Sequence, residues 1–196
     1  APSGKEKELK KRGYEFIYYE ENLKNSHLHV TSYDENWKQD WQWQLTEEGH
    51  TWDFEFNAQG TQVAASISPK NLIDHRYMFR KVYLIDLKSG DIRQISENEG
   101  KLGNYAFSPD GKHLAYAAAL NLNDHQVSQA FVAEIETGEV RNYTPENYRG
   151  HVNHVEWVDS KNLLYASGER VYPKLYSMNL GNSKPKLLMD AKESGL

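Results

Sequence analysis

The chain has 196 residues and a net charge of −5, with acidic and basic residues interspersed, a balance that argues against a nucleic-acid or anionic-membrane surface. Cysteine is absent, which excludes disulfides, thiolate metal sites and a cysteine nucleophile. The mean hydropathy of −0.83 and the lack of a long apolar run exclude an apolar membrane-spanning helix, and the length suits one compact domain.

Residues 1–12 read as a polar, solvated lead-in or tag, because the signs alternate in Lys5-Glu6-Lys7-Glu8-Leu9-Lys10-Lys11-Arg12. From residue 13 the chain reads as strands. Tyr14 to Tyr19 and Leu28 to Tyr33 are expected strands, Asp34-Glu35-Asn36 a turn, and Trp41 to Leu45 an outer strand. This first unit, residues 13–49, lacks an inner strand. Phe54 to Ala64 then reads as strand, tight turn, strand. Asn104 to Tyr116 repeats that shape around Ser108-Pro109-Asp110-Gly111, where proline pre-sets φ and glycine tolerates the positive φ of the turn. Val155 to Tyr165 is a weaker third copy. The aromatic before the turn falls at 56, 107 and 157, a period of 51 and then 50.

The second half of each period repeats as well. Val82 to Asp91, Ala130 to Glu139 and Leu175 to Gly181 match one another, and each is followed by a short strand at Ile92–Ile95, Val140–Tyr143 or Pro185–Leu188. Four strands per period of this length make a blade of a β-propeller. The fold is therefore expected to be all-β, built of four-stranded antiparallel blades at about 13–49, 50–100, 101–150 and 151–196. A chain that starts inside one blade and stops at a blade boundary is expected to be part of a larger, seven- or eight-bladed propeller.

Strand order places the short turns on one face and the long loops on the other. Loops on a rigid scaffold concentrate binding residues. The candidates are Asp74, His75, Arg76, Tyr77, Arg80, Asp124, His125, Arg149, His151 and His154. Arg76 and Arg80 offer planar donor forks for a peptide carboxylate or carbonyl, and Tyr77 an apolar wall. The competing reading has this loop pack on its neighbours, with its arginines paired to Asp74 and other local acids. Asp74 or Asp124 could receive a substrate amino group. His151 and His154 point apart at a loop-to-strand junction, and His27 and His29 have no carboxylate beside them, so no metal is expected and no cofactor. Trp41 and Trp43 alternate on one side of an outer strand. Blade packing explains them more simply than does a sugar platform with Trp37.

The run Asp53-Phe54-Glu55-Phe56 through Ile67-Ser68-Pro69-Lys70-Asn71-Leu72-Ile73-Asp74-His75-Arg76-Tyr77-Met78-Phe79-Arg80 to Leu84 resembles a propeller blade of prolyl oligopeptidase family serine peptidases. Gly100-Lys101-Leu102-Gly103 with FSPDGKHLAY, and Asn121-Leu122-Asn123-Asp124, resemble the branch with dipeptidyl- and acylaminoacyl-peptidase-like members. The resemblance implies a cap over an α/β-hydrolase domain, which filters peptides by size and helps hold their N-terminal part. It implies a Ser-Asp-His triad on that other domain, with the serine on a G-x-S-x-G elbow. This chain has no such elbow. The nearest approach is Gly181-Asn182-Ser183-Lys184-Pro185, so the chain is expected to be catalytically silent. Its expected partners are that hydrolase domain and a peptide, and an exported bacterial setting is in keeping with the branch. The alternative is a stand-alone TolB-like propeller acting as a protein-interaction scaffold. A third reading, a polymer-acting propeller enzyme, lacks a convergent carboxylate pair.

Overall fold

The computed structural model describes residues 3–14, 23–182 and 184–194. The expected strand Tyr14 to Tyr19 falls, apart from Tyr14, outside them. Within the lead-in, Gly4–Lys11 forms a solvent-exposed helix, α1, with no buried residue. Ser3 caps it by accepting from the Glu6 N–H, while the Glu6 carboxylate accepts from the Ser3 N–H, a reciprocal pair that satisfies two orphan donors. Glu6 also meets Lys24 at 3.2 Å.

The rest of the described chain is built on antiparallel β-sheets. Blade one contributes β1 (His29–Tyr33) and β2 (Gln39–Gln44), a two-stranded sheet among the described residues. Blade two holds β3 (His50–Phe56), β4 (Gln62–Ser68), β5 (Lys81–Asp86) and β6 (Ile92–Gln94). Blade three holds β7 (Leu102–Phe107), β8 (His113–Ala119), β9 (Ser128–Glu134) and β10 (Val140–Asn142). Blade four holds β11 (His151–Trp157), β12 (Asn162–Glu169), β13 (Tyr172–Asn179) and β14 (Lys186–Asp190), followed by the short helix α2 (Ala191–Ser194). Each of the last three sheets has its strands in chain order, as four-stranded blades should. The first strand of each blade meets that of the next, β3 beside β7 and β7 beside β11, so these strands form the inner edge of the arc.

Strand alternation sends successive side chains toward opposite neighbours. In blade three, Tyr105, Phe107, Leu114 and Tyr116 pack back on Ala64, Val82 and Leu84 of blade two. Its Ala106, Ala115, Ala117, Ala130 and Val132 meet Val155, Trp157, Leu163 and Tyr165 of blade four. Leu45, Leu28 and Val30 of blade one likewise meet Val63, Ala65, Ile67 and Ile85 of blade two. In blade three, therefore, large residues face the preceding blade and mostly alanines the following one, whereas blade one faces forward with Leu28, Val30 and Leu45 and blade two with Ala64, Val82 and Leu84. Phe54 and Phe56 on β3, at the positions of Tyr105 and Phe107, are each about half exposed and stacked edge to face at 6.1 Å.

The outer seams are closed in a matched way. The Trp43 ring packs against Gly90, where a Cβ would stand 2.1 Å from it, and the positive φ of 78° there separately favours glycine. Arg93, at the matching position of blade two, donates to the Ile135 carbonyl of blade three. Gly100 is tighter still, since a Cβ on it would stand 2.0 Å from the Asn121 carbonyl oxygen. Gly100→Ala is expected to cost about 1–3 kcal/mol by overpacking, read as a lower urea midpoint with an unchanged m-value.

Candidate functional site

A groove of about 430 Å³ opens between the inner strands of blades two and three, on the face of the long loops. Three features of the local fold shape it. A bulge in β3 between Thr51 and Asp53 interrupts the alternation, so that Trp52 is inserted and Asp53 meets Tyr105 of blade three. The loop after β4 winds into a five-residue π-helical turn, His75–Phe79, which sets Arg76 and Arg80 at different depths. At Gly103 no side chain stands between Asn104 and the groove, and Gly103 itself lines it.

Arg80 is an inter-blade tie. Its Nη1 donates to Asp53 Oδ2 at 2.8 Å and its Nη2 to the Leu102 carbonyl at 2.6 Å, and its side chain is 14% exposed. The Tyr105 hydroxyl donates to the other Asp53 oxygen. Burial, reinforced by the Asp53 charge, holds the Tyr105 phenol protonated far above its ordinary range. Arg80 is thus engaged by Asp53, not by Asp74, which stands at the start of the π turn and makes no capping bond.

Arg76 is different. It is exposed, and its guanidinium lies 5.4 Å from the centre of the Trp52 ring, with no ion pair among the described residues. Trp52 is fixed from two sides: its Nε1 donates to Ser68 Oγ at 2.8 Å, and His50 packs on it edge to face at 4.3 Å. A guanidinium carried on a fixed indole keeps its in-plane donors free for a ligand. Glu55 also lines the groove and accepts a long bond of 3.4 Å from the Phe107 N–H. Burial raises the pKa of Glu55, and the charge of Glu156 adds to the rise. The groove thereby pairs an available cation with an acid whose pKa is raised, beside Phe54.

The other candidates lie elsewhere. Tyr77 is exposed on the π turn and outside the groove lining. His75 packs on Phe79 at 5.0 Å. Asp124 meets Lys101 at 3.1 Å and is otherwise exposed, as is Arg149. His151 accepts a backbone N–H from Ser128, and His154 lies 3.7 Å from Glu156. Trp37 stands 85% exposed at the tip of the β1–β2 hairpin with φ of 59°. Sequence reasoning passed over Asp53, Glu55, Asn104 and Tyr105. The available signal was the alternation Asp53-Phe54-Glu55-Phe56, which puts two acids on the face toward blade three. A smaller cleft of about 180 Å³ lies at the outer seam of blades three and four, where Arg141 folds back onto Glu139 at 2.8 Å instead of crossing as Arg93 does.

No protein-family model matches the sequence, and no curated protein matches it. Solved structures do. TolB from Acinetobacter baumannii aligns over 82% of this chain at 18% identity and a TM-score of 0.52. A puromycin-hydrolyzing peptidase from Mycobacterium tuberculosis aligns over 71% at 20% identity and a TM-score of 0.55. The β-propeller domain of the Trilobed protease from Pyrococcus furiosus aligns over 74% at 21% identity and a TM-score of 0.52. The chain spans 37%, 23% and 42% of those chains respectively, so its likeness is to part of each. At these identities the likeness is one of fold: the four sheets are β-propeller blades, of the kind found in TolB and in peptidase-associated propellers.

Proposed function

We propose that this run of blades is the non-catalytic propeller portion of a prolyl-oligopeptidase-like serine peptidase, gating access to an α/β-hydrolase domain and contacting the peptide. The observation that carries this reading is the groove at the inner edge of blades two and three, with Arg76 held on Trp52 and free to bind a carbonyl or carboxylate. An extended peptide has an unpaired carbonyl and N–H at every residue, which suits a groove offering both a guanidinium and a carboxyl group. Peptidases among the proteins of like fold support the same reading. The second reading, a TolB-like interaction scaffold, is favoured by Trp37, a bulky residue in left-handed conformation whose indole meets solvent.

A fluorescein-labelled peptide mixture titrated with the chain separates the two. Saturable anisotropy that Arg76→Ala weakens about 10-fold, one charge-assisted contact, supports the peptidase reading. Trp52→Leu is expected to weaken it to a similar degree without touching the peptide, by releasing the guanidinium. Peptide binding that Trp37→Ala abolishes and Arg76→Ala leaves alone supports the scaffold. The isolated chain is expected to turn over no aminoacyl or dipeptidyl chromogenic substrate, and a fluorophosphonate label on one of its own serines would overturn that.

A further inference from the structure

His50 and His151 occupy the same place in the repeat, the first residue of the inner strands β3 and β11. Each reaches back to the preceding blade. His50 Nδ1 accepts the Ser26 N–H at 2.9 Å, and His151 Nδ1 accepts the Ser128 N–H at 3.1 Å. Both serines enter the third strand of their blade. A ring nitrogen that accepts a backbone N–H carries no proton, so each imidazole is neutral with its hydrogen on Nε2. A proton added at Nδ1 removes the acceptor and sets two donors against each other.

The middle seam is built otherwise. Lys101 stands at the matching position of blade three and pairs with Asp124 of its own blade at 3.1 Å. Blades two and three are clasped by Arg80 on Asp53 and the Leu102 carbonyl, and a guanidinium keeps its charge at any pH the protein meets. We propose that His50 and His151 are acid-sensitive ties: protonation removes one bond from the seam between blades one and two and one from that between three and four, loosening them beside the Thr51–Ser26 and Asn104–Val155 bonds that stay, while the Arg80 tie between two and three is unaffected.

The surroundings of each ring favour its neutral form. Burial lowers the pKa of His50, with the charge of His27 adding to it, and Arg76 lies beyond the Trp52 ring. Burial lowers that of His151, with Lys101 adding to it. On the β12–β13 side, Glu169 is engaged by Lys174 at 2.9 Å and by the Tyr176 hydroxyl at 2.6 Å. For groups whose folded pKa lies below the unfolded value, the stabilisation is complete above the unfolded value, about 6.5 for histidine, and is lost as pH falls through the folded one. The His50 tie also bears on the groove, because that ring holds Trp52 in place.

Asparagine places its Oδ1 close to the position of the imidazole Nδ1 and does not titrate, so His50→Asn with His151→Asn keeps both acceptors and deletes the switch. Thermal unfolding of the full chain at pH 8 and pH 5 reads the difference. The fall in midpoint is expected to be smaller by roughly 4–8 °C in the double variant than in the wild type. The same fall in both proteins would overturn the proposal. A second measurement uses the wild type alone: imidazole ¹⁵N spectra at pH 8 are expected to show Nδ1 unprotonated in both histidines. On acidification the Ser26 and Ser128 amides should lose exchange protection as these rings titrate. Nδ1 protonated at pH 8, or titration with both amides still protected, would sink it even if the variant failed to fold.

Discussion

Replacing Trp157 by alanine is expected to destabilise the protein by about 3–5 kcal/mol. The residue closes the first strand pair of blade four, and its ring is 8% exposed among Ala106, Ala115 and Ala117 of blade three. The alanines cannot reach into the hole, and the larger neighbours, the His113 ring at 6.1 Å and Leu163 in the same cluster, would have to leave their own places to fill it. Its Nε1 also donates to the Ala106 carbonyl at 2.9 Å in a buried setting, and that carbonyl would be left short of a partner. For a chain of this size the midpoint of thermal unfolding should drop by roughly 8–15 °C. Trp157→Phe separates the two parts: it keeps much of the volume, loses the hydrogen bond, and is expected to cost about 1–3 kcal/mol. Equal costs for phenylalanine and alanine would show that the bond, not the packing, sets the seam.

The second large effect is expected at Arg80. Arg80→Ala strips Asp53 and the Leu102 carbonyl of their shared donor at once, and the expected loss is about 2–4 kcal/mol in urea unfolding. Two features hold it to that range. Asp53 is 48% exposed at its side chain, so water can replace the guanidinium there, and the Arg80 Nε is buried with no hydrogen-bond partner, which already weighs against the pair. Arg76→Ala, four residues earlier, should change stability by less than about 0.5 kcal/mol, since its guanidinium rests on a ring surface in solvent. A double-mutant cycle of Arg80 with Asp53 is expected to give a coupling on the order of 1–3 kcal/mol. The contrast between the two arginines, one costing stability and the other peptide binding, is the sharper check, because in sequence they look alike.

That likeness marks where sequence reading stopped. The blades were legible because their determinants are local and recur: Phe56, Phe107 and Trp157 at one period, the Ser108-Pro109-Asp110-Gly111 turn, and Gly90 and Gly138 closing matched hairpins. The face carrying long loops followed from strand order alone. The helix at Gly4–Lys11 is also marked in the sequence, by Ser3 and Glu6 at capping-box spacing, and its alternating charges are those of a solvated run. The groove was not legible. Its bonds join residues 22 to 52 apart, Arg80 to Leu102 and Asp53 to Tyr105, across a seam whose register no local pattern encodes. The π turn was hidden for another reason. It rotates Arg76 and Arg80 to different depths through one extra residue per turn, and side-chain chemistry carries no mark of that.

Blade three shows aromatics backward and alanines forward, which gives it a direction, much as a cup in a stack has one. It cannot be turned round in place, for its aromatic face would then meet Trp157 and Tyr165 of blade four and its alanine face would leave a void against Ala64, Val82 and Leu84 of blade two. It can be copied, since every copy carries its own plug and its own recess. Growth or shortening of such an arc by whole units of about fifty residues therefore asks for no new interface, whereas a cut within a unit separates a plug from the recess belonging to the same sheet. Tolerance to insertion should accordingly be higher in the exposed stretch 145–147 before β11 than in the buried, hydrogen-bonded loop entering β7, and be least inside the hairpins, where the strands of one sheet must stay together.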